Sequence, residues 1–326
     1  MESPEKAKYY EREALDVSPI REIAQEVLSE VSRVIVGYGE ILQQLFISLL
    51  VNGHVLLEGV PGLGKTVMAK TFAKTLGISF RRVQFTPDLL PADITGTKIF
   101  DQNEGAFVLQ KGPIFANVVL ADEINRSAPK TQAALLEAMA ERQVTIEGQT
   151  LELEKPFIVI ATENPVEMEG TYPLPEAQVD RFLFKLWLDY PEQDEEVDIM
   201  RRQISGDSPS VEAITNGEEI LAAQKLMNMV YIDDRILKYI RDIILKTRSH
   251  PQIALGCGPR ASLVLMKCSK ARAAILGRVY VTPDDVRALA IPALNHRILL
   301  KPEAELEGLD VKAVIKGIIE EIPVPI

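Results

Sequence analysis

Short apolar segments alternate with helical patterns through the first 190 residues. Apolar runs typical of buried strands lie at 54–58, 78–85, 118–122, 157–161 and 182–188. Helices are predicted between them at about 65–76 and 129–142, and two more begin near Ser18 and Tyr38. Buried strands that alternate with helices favour a parallel sheet covered on both faces.

Two segments interrupt this alternation. Residues 91–115 contain glycines at 96, 105 and 112, and apolar residues alternate with polar ones around 101–105. Residues 144–153 alternate in the same way around Glu147, Gly148 and Gln149. Alternation on both sides of a Gly-containing turn predicts a β-hairpin, so we expect two hairpins inserted into the sheet domain.

Beyond about residue 192 the chain shows only helical patterns. In the segment after Thr282-Pro283, for example, Val286, Leu289 and Ala293 recur at helical spacing. We therefore predict a polar N-terminal tail over 1–17, an α/β domain over 18–190 and an all-helical domain over 192–326.

Composition and charge narrow the possible functions. Lys and Arg number 36 against 47 Asp and Glu, and the net charge of −11 disfavours a nucleic-acid binder or an anionic membrane surface as partner. The two cysteines give no disulfide framework, and the three histidines follow no metal-binding pattern. The N-terminus lacks a secretory pattern, and the apolar stretch 41–51 is too short to span a bilayer. We expect a soluble cytoplasmic protein.

A phosphate-binding pattern joins the first strand to the helix that follows it. It reads Gly59-Val60-Pro61-Gly62-Leu63-Gly64-Lys65-Thr66, which matches GxxxxGK[ST]. The glycines let backbone N–H groups point at phosphate oxygens, Lys65 can reach the β- and γ-phosphates, and Thr66 supplies a hydroxyl for Mg²⁺. The strand before and the helix after give the context that this loop requires.

An acidic pair, Asp122 and Glu123, ends the apolar strand at 118–122. Neighbouring side chains of a strand point to opposite faces, so one carboxylate can serve the metal while the other faces water. We assign Asp122 to Mg²⁺ and Glu123 to the general base that polarises the attacking water.

Three more polar residues are candidates for the same chemistry. Asn164 follows an apolar strand and can orient the water if that strand lies between the phosphate-loop strand and the Asp122 strand. Arg181 follows Asp180, and such a pair is more often a surface ion pair; the functional alternative is an arginine finger that stabilises charge on the transferred phosphoryl group. Arg260 opens a helix of the second domain and can reach back toward the phosphates.

These motifs belong to longer stretches that resemble the MoxR family of AAA+ ATPases. The matching stretches are VQFTPDLLP at 83–91, ADEINR at 121–126, ALLEAM at 134–139 and GTYPLPEAQ at 170–178. They extend across the sheet domain, and the resemblance covers about residues 30 to 300. It implies a three-layer α/β sandwich with a parallel five-stranded sheet in the order 5-1-4-3-2, followed by a small all-helical lid domain.

The resemblance also implies roles for particular residues. It implies Asn164 as sensor 1, Arg181 as arginine finger, Arg260 as sensor 2, and Val36 with Gly37 beside the adenine. Two alternatives stay open: Arg126 is a rival for the finger, and Arg260 can act within its own subunit or on a neighbour. Two positions depart from the family pattern, namely Glu163 in place of Gln and Cys257-Gly258 in place of a small residue followed by Ser.

The resemblance implies an ATP-hydrolysing ring, a homo-hexamer, that remodels or activates a partner protein complex, for instance in metal-cofactor insertion or enzyme maturation. A partner with a von Willebrand factor A domain is implied in the same way. A DNA-acting motor is an alternative, disfavoured by the net charge and by the acidic residues Glu147, Glu152 and Glu154 in the second hairpin. A nucleotide-dependent binding module without turnover is another, disfavoured by the presence of Glu123, Asn164 and Arg181.

Overall fold

The computed structural model describes residues 15–103, 105–165, 170–204 and 210–325. These described residues form two compact units, one within 26–182 and 186–220 and the other within 15–25, 183–185 and 221–325. Most of the predicted N-terminal tail, residues 1–14, lies outside the described residues. Val17, at the end of that predicted tail, is buried.

Strands are found in both units. They are β1 (Val55–Glu58), β2 (Phe80–Gln84), β3 (Gly96–Asp101), β4 (Ala106–Lys111), β5 (Val118–Asp122), β6 (Gln143–Ile146), β7 (Gln149–Glu152), β8 (Ile158–Glu163), β9 (Phe184–Trp187), β10 (Ile253–Leu255) and β11 (Leu299–Leu300). The largest sheet has the order β2-β5-β8-β1-β9, with parallel pairing between β2 and β5, β5 and β8, and β8 and β1. Without the hairpin strands, β1, β2, β5, β8 and β9 are the first to fifth strands along the chain, so read from β9 the sheet has the order 5-1-4-3-2. The expected strand order is therefore confirmed, and with it the α/β sandwich.

Helices precede, connect and follow the strands. They are α1 (Ser18–Ser32), α2 (Gly39–Leu50), α3 (Lys65–Thr75), α4 (Pro91–Thr95), α5 (Pro129–Glu141), α6 (Glu176–Val179), α7 (Gln193–Ile204), α8 (Gly217–Asn228), α9 (Asp234–Ser249), α10 (Pro259–Ile275), α11 (Pro283–Leu294), α12 (Pro302–Leu306) and α13 (Val311–Glu321). None of the helices in the described parts of the chain combines the length and apolarity that crossing a bilayer requires.

The core of the larger unit explains why its central strands are apolar throughout. All five residues of β5 are buried, and so are the first five of β8. Side chains from both strands join one apolar cluster with Leu56 of β1, Leu135 of α5 and Phe157. Strands covered on both faces have no water-facing side, so their sequence loses the polar alternation of an exposed sheet.

His54, which immediately precedes β1, is a polar group buried in this unit. Its Nδ1 accepts a hydrogen bond of 2.9 Å from the backbone N–H of Val159, and its Nε2 lies 3.1 Å from the carbonyl of Met139. One nitrogen therefore accepts while the other donates, which is the neutral form of the ring. Burial, together with the nearby charge of Arg142, lowers the pKa of His54 to about 3.

Both predicted hairpins form. Strands β3 and β4 pair antiparallel from Gly96 opposite Lys111 to Asp101 opposite Ala106, and β6 pairs antiparallel with β7. At Gly96, with φ near +95°, a Cβ atom would lie 2.2 Å from the Gln110 carbonyl oxygen, so only glycine fits this entry to the hairpin.

The second unit is mainly helical, as predicted, but it is not free of strands. Strands β10 and β11 pair antiparallel, with Ile253 opposite Leu300. The expected helical domain is therefore confirmed, with one short antiparallel strand pair that the sequence did not predict. With three residues and two residues, the strands are too short for alternation to reveal them in the sequence.

A buried ionic cluster lies within the helical unit. The carboxylate of Asp285 is fully buried and accepts hydrogen bonds of 2.7 Å from Arg272 and 2.6 Å from Arg278. It also accepts from the backbone N–H and the hydroxyl of Thr282, which caps α11. Although burial alone would raise the pKa of Asp285, these hydrogen bonds outweigh it and lower the pKa.

Candidate active site

The phosphate-loop pattern forms the turn that leads from β1 into α3. Gly62 and Gly64 have φ values of +90° and +75°, a conformation that glycine adopts without a steric penalty. A Cβ added at either glycine would meet no atom within 4 Å, so it is the backbone conformation that requires glycine here. The loop borders a cavity of about 340 Å³ lined by residues 61–67, Asp122, Glu123 and Asn164. The structure thus brings together the loop and three of the candidate polar residues.

Lys65 lies inside the loop at the start of α3. Its Nζ donates to the carbonyl of Gly59 at 2.5 Å and to that of Glu163, at the end of β8, at 3.5 Å. Burial lowers the pKa of Lys65, while the carboxylates of Asp122 and Glu123 act in the opposite direction. The ammonium group is therefore held between the loop and the carboxyl end of the sheet.

Asp122 ends β5 beside the first turn of α3. Its Oδ2 lies 3.3 Å from the hydroxyl of Thr66, and its Oδ1 accepts a hydrogen bond of 2.7 Å from the hydroxyl of Thr162 on β8. The guanidinium of Arg82 on β2 forms an ion pair of 2.7 Å with the same Oδ2.

The oxygens of Thr66 and Asp122 suit Mg²⁺, which prefers oxygen ligands and usually takes one or two carboxylates together with water and substrate phosphates. Among the residues that the structure describes, no three His, Cys, Asp or Glu side chains are grouped to hold a metal ion. The hydroxyl of Thr66 and the carboxylate of Asp122 fit a Mg²⁺ ion whose remaining ligands would be water and phosphate oxygens.

Glu123 does not continue the strand. It has φ 57° and ψ 52°, so β5 ends at Asp122 and the alternation rule used to separate the two carboxylates does not apply. Its backbone N–H donates 2.8 Å to the hydroxyl of Thr162. The left-handed backbone at Glu123 sets the direction of its side chain in place of the alternation along a strand. As a result, the carboxylates of Asp122 and Glu123 border the same cavity.

The Glu123 carboxylate is held by two side chains. Its Oε2 accepts hydrogen bonds of 2.7 Å from Gln84 Nε2 and 2.9 Å from Arg126 Nη1. Gln84 also accepts from Arg82, the partner of Asp122, so hydrogen bonds connect the two acidic residues by way of β2. Arg126, the rival candidate for the finger, thus lies against the Glu123 of its own chain.

Asn164 follows β8, and β8 lies between β1 and β5 as its proposed role requires. The side chain is buried and borders the cavity with the two acidic residues. Glu163, where the family pattern has Gln, is the last residue of β8 and pairs in register with Glu58.

The two other candidate arginines do not line this cavity. Arg181 donates 2.8 Å to the carbonyl of Leu136 and borders a second cavity, of about 280 Å³, with Glu137, Glu141 and Gln178. Arg260 is the second residue of α10, an exposed position in the helical unit.

Val36 and Gly37 form the turn between α1 and α2, and the next residue, Tyr38, adopts a left-handed conformation with φ 59°. The hydroxyl of Tyr38 donates 2.7 Å to the carbonyl of Asp189. Burial and the nearby charges of Glu195 and Asp189 raise the pKa of Tyr38. Neither Val36 nor Gly37 lines the cavity of the phosphate loop.

The segment after β9 connects this turn to the phosphate loop. The backbone N–H of Leu188 donates 2.7 Å to the carbonyl of Glu58, and a Cβ at Gly59 would lie 2.9 Å from the carbonyl oxygen of Leu188. The indole N–H of Trp187 donates 2.7 Å to the carboxylate of Asp189. One short stretch therefore contacts both the first glycine of the loop and the turn at Tyr38.

Sequence reasoning missed three residues of the site, namely Arg82, Gln84 and Thr162. Arg82 and Gln84 are two residues apart on the edge strand β2, so their side chains share a face. Gln84 pairs in register with Asp122. The sequence could have indicated Arg82 and Gln84 as site residues, because they are two polar residues on one face of a predicted strand. For Thr162 the sequence offered only a weak indication, namely its position two residues before Asn164.

Comparisons with known proteins agree with this geometry. Residues 54–184 match the model of the ATPase family associated with various cellular activities (AAA), and residues 245–318 match an AAA lid domain. The protein YeaC of Bacillus subtilis is 48% identical over 302 residues, which cover 92% of this chain and 94% of YeaC. Chaperone MoxR1 of Mycobacterium tuberculosis is 40% identical over 310 residues, 92% of this chain and 82% of MoxR1. A crystal structure of a protein from Cytophaga hutchinsonii superimposes with a TM-score of 0.90 at 42% identity, over 99% of this chain and 100% of that one.

Proposed function

The chain belongs to the MoxR family of AAA+ ATPases, and on that basis we propose that it binds ATP with Mg²⁺ and hydrolyses it to ADP and phosphate. The observation that carries the proposal is the arrangement of the phosphate loop, Asp122, Glu123 and Asn164 around one cavity. These are the groups that phosphoryl transfer to water needs: a phosphate cradle, metal ligands, a base and an orienting amide.

The chain's own residues account for substrate binding. Backbone N–H groups from Gly62 to Thr66 hold the phosphate oxygens, and the Lys65 ammonium adds a positive charge for the β- and γ-phosphates. Thr66 and Asp122 would hold Mg²⁺, which when bound neutralises charge on the phosphate oxygens.

Hydrolysis needs a base beside the γ-phosphate. Glu123 takes a proton from water as the water oxygen bonds to the γ-phosphorus, and the bond from that phosphorus to the bridging oxygen breaks to leave ADP. Asn164 orients the water. The contacts of Glu123 with Gln84 and Arg126 support this assignment, since they hold its carboxylate at the cavity.

Arg181 is proposed as the arginine finger of a neighbouring subunit. Its position at a second cavity, away from its own phosphate loop, supports a role across a subunit boundary. Such a role requires assembly, for which we propose a homo-hexameric ring. Arg260 is proposed as the second sensor, acting within its own subunit or on a neighbour.

We place the adenine beside Val36 and Gly37. Support comes from the segment after β9, which contacts both the phosphate loop and Tyr38.

The cellular role proposed is remodelling or activation of a partner complex in the cytoplasm, with a von Willebrand factor A-domain protein as partner. One relative, from Mycobacterium tuberculosis, bears the name chaperone, which is in line with this role. The net charge of −11 disfavours the alternative of a motor that acts on DNA.

Phosphate release from ATP by the purified protein tests the proposal. Lys65→Ala is expected to lose ATP binding, whereas Lys70→Ala, on the exposed side of the same helix, keeps it. Glu123→Gln is expected to bind ATP and to lose turnover by about 100-fold or more, because an amide cannot take the water's proton. Its control is Glu147→Gln in the turn of the second hairpin. Turnover within a few-fold of wild type in Glu123→Gln contradicts the assignment of the base.

A further inference from the structure

A guanidinium group lies against the carboxylate oxygen that is proposed to serve Mg²⁺. Arg82, on the edge strand β2, donates to Asp122 Oδ2 through Nε at 2.9 Å, and its Nη2 forms an ion pair of 2.7 Å with the same oxygen. Asp122 Oδ2 is also the oxygen that lies 3.3 Å from the hydroxyl of Thr66. The arginine side chain and the proposed metal therefore depend on one and the same oxygen atom.

The second oxygen of this carboxylate is already engaged elsewhere. Asp122 Oδ1 accepts a hydrogen bond of 2.7 Å from the hydroxyl of Thr162, which is buried on the central strand β8. Around Oδ2, two guanidinium nitrogens and the hydroxyl of Thr66 are more neighbours than the oxygen has lone pairs. A metal ion, or a water bound to it, can use Oδ2 fully only when one of these neighbours moves away.

Arg82 is the neighbour that can move. Its side chain is 47% exposed, whereas that of Asp122 is 10% exposed. Because β2 is an edge strand, the guanidinium has solvent on its open side. Its other contact is with Oε1 of Gln84, a residue that is itself exposed. An ion pair with one half-exposed partner is weakened by water and by salt, so a divalent ion can displace the arginine.

Charge also favours displacement over sharing. Mg²⁺ requires near-ideal octahedral geometry and loses its own water reluctantly, so a crowded ligand binds it poorly. A positively charged guanidinium beside the same oxygen repels the ion in addition. The two cations therefore compete for Asp122 Oδ2.

We propose that Arg82 is the counter-ion of Asp122 in the empty site and gives up Oδ2 to Mg²⁺ when nucleotide binds. This inference rests on the proposed binding of ATP with Mg²⁺ and deepens it, because it assigns to one side chain the control of how much the metal adds to nucleotide affinity. Arg82 acts through Asp122 and is a positioning residue. Displacing it lowers the affinity for the metal–nucleotide complex by about 3- to 10-fold.

The test is calorimetric binding of ADP, which is not hydrolysed, once with saturating Mg²⁺ and once with EDTA. Arg82→Met keeps the length of the side chain and removes its charge and donors. With Mg²⁺, this variant is expected to bind ADP about 3- to 10-fold more tightly than wild type. With EDTA it is expected to bind ADP no more tightly than wild type, because no metal then competes for Oδ2. Loss of a positive charge would by itself weaken the binding of an anionic nucleotide, so a gain confined to Mg²⁺ is specific to the competition.

The matched control is Arg81→Met. Arg81 is the exposed neighbour of Arg82, and its side chain points to the opposite face of β2. It is expected to show no gain in affinity with Mg²⁺. Arg82→Lys keeps a positive charge but has a single nitrogen, so its affinity with Mg²⁺ is expected to lie between those of wild type and Arg82→Met. Because Asp122 keeps a counter-charge in this second variant, it also tests the proposal if Arg82→Met does not fold.

Unchanged or weaker binding of ADP with Mg²⁺ in Arg82→Met overturns the proposal, because no competition has then been relieved. A gain of equal size with EDTA overturns it as well, since such a gain does not depend on the metal. Both results leave nucleotide binding by wild type intact. Absence of nucleotide binding by wild type, with and without Mg²⁺, overturns the proposed function and this inference with it.

Discussion

Thr162 donates a hydrogen bond of 2.7 Å to the carboxylate of Asp122, and its hydroxyl oxygen accepts one of 2.8 Å from the backbone N–H of Glu123. One fully buried hydroxyl on β8 thus aligns the proposed metal ligand and the turn that carries the proposed base. The hydrogen bond from the backbone N–H of Glu123 helps to stabilise the left-handed conformation of that residue.

Replacing Thr162 by Val is therefore expected to lower the rate of ATP hydrolysis by about 10- to 100-fold. Valine matches threonine in shape but leaves the N–H of Glu123 without its hydroxyl acceptor, at a cost of about 1–3 kcal/mol. The measurement is steady-state phosphate release over a range of Mg²⁺ concentrations. Thr162→Ser, which keeps the hydroxyl, is the matched control, and equal rates in the two variants would show that the hydroxyl is unimportant.

The Arg181→Ala variant is expected to bind ATP about normally and to hydrolyse it about 10³-fold more slowly, which is the rate effect typical of an arginine finger. If the finger serves a neighbour, wild-type activity per subunit rises with protein concentration. Mixing inactive Arg181→Ala with inactive Glu123→Gln is expected to restore activity, because an intact Glu123 site can then receive an intact Arg181. Phosphate release by verified mixed rings is the readout.

Arg126 provides the contrast for that experiment. It pairs at 2.9 Å with the Glu123 of its own chain, so Arg126→Ala places the lesion in the same site as Glu123→Gln. In such mixed rings no site has both residues intact, so no activity is expected to return if Arg126 serves its own site, and the same assay separates the two arginines. Rescue with Arg126→Ala but not with Arg181→Ala would transfer the finger role to Arg126.

Stability is expected to fall on acidification because of His54. Its pKa is lowered from 6.5 to about 3, so between these values the unfolded chain binds a proton that the folded chain does not. Each pH unit below 6.5 therefore removes about 1.4 kcal/mol of stability until the folded pKa is reached. Urea unfolding between pH 7.5 and 4.5 measures this slope.

His54→Gln is the matched variant for this prediction. An amide can accept from Val159 and donate to Met139 but does not titrate in this range. The variant is expected to lose stability less steeply than wild type as the pH falls. Parallel slopes would assign the acid sensitivity to other groups.

Asp285→Asn is expected to destabilise the helical unit by about 3 kcal/mol, since it leaves Arg272 and Arg278 without their buried counter-charge. Hydrogen exchange can localise the effect, with faster exchange expected in α10 and α11 than in β5 and β8. Asp284→Asn changes the adjacent exposed carboxylate and is expected to leave exchange unchanged. Uniform acceleration throughout the chain would contradict a local role.

Some parts of this molecule could be predicted from the sequence because one physical constraint determines them. The apolar run at 118–122 indicates a strand buried on both faces, and the spacing from Gly59 to Thr66 indicates a backbone that holds phosphate. The strand order came from the family resemblance, and pattern alone would not have supplied it.

Other parts depend on contacts between distant residues. Arg82 and Gln84 stand beside the acidic pair only because β2 pairs with β5 in one register, which no local pattern specifies. The direction of the Glu123 side chain was inferred from strand alternation, yet a left-handed residue ends the strand first. The contact of Glu195 with Gly37 joins residues far apart in the chain and leaves no periodic signal.

The position of Trp187 also makes the segment after β9 observable by optical means. It is the single tryptophan of the chain, and its indole N–H donates a hydrogen bond to the carboxylate of Asp189. The backbone carbonyl of Asp189 in turn accepts a hydrogen bond from the hydroxyl of Tyr38. Indole emission changes in colour and intensity when its hydrogen bonding or contact with water changes. The unlabelled protein therefore carries its own fluorophore beside the proposed base site. A nucleotide titration followed by intrinsic emission would report on this one stretch, without interference from another tryptophan.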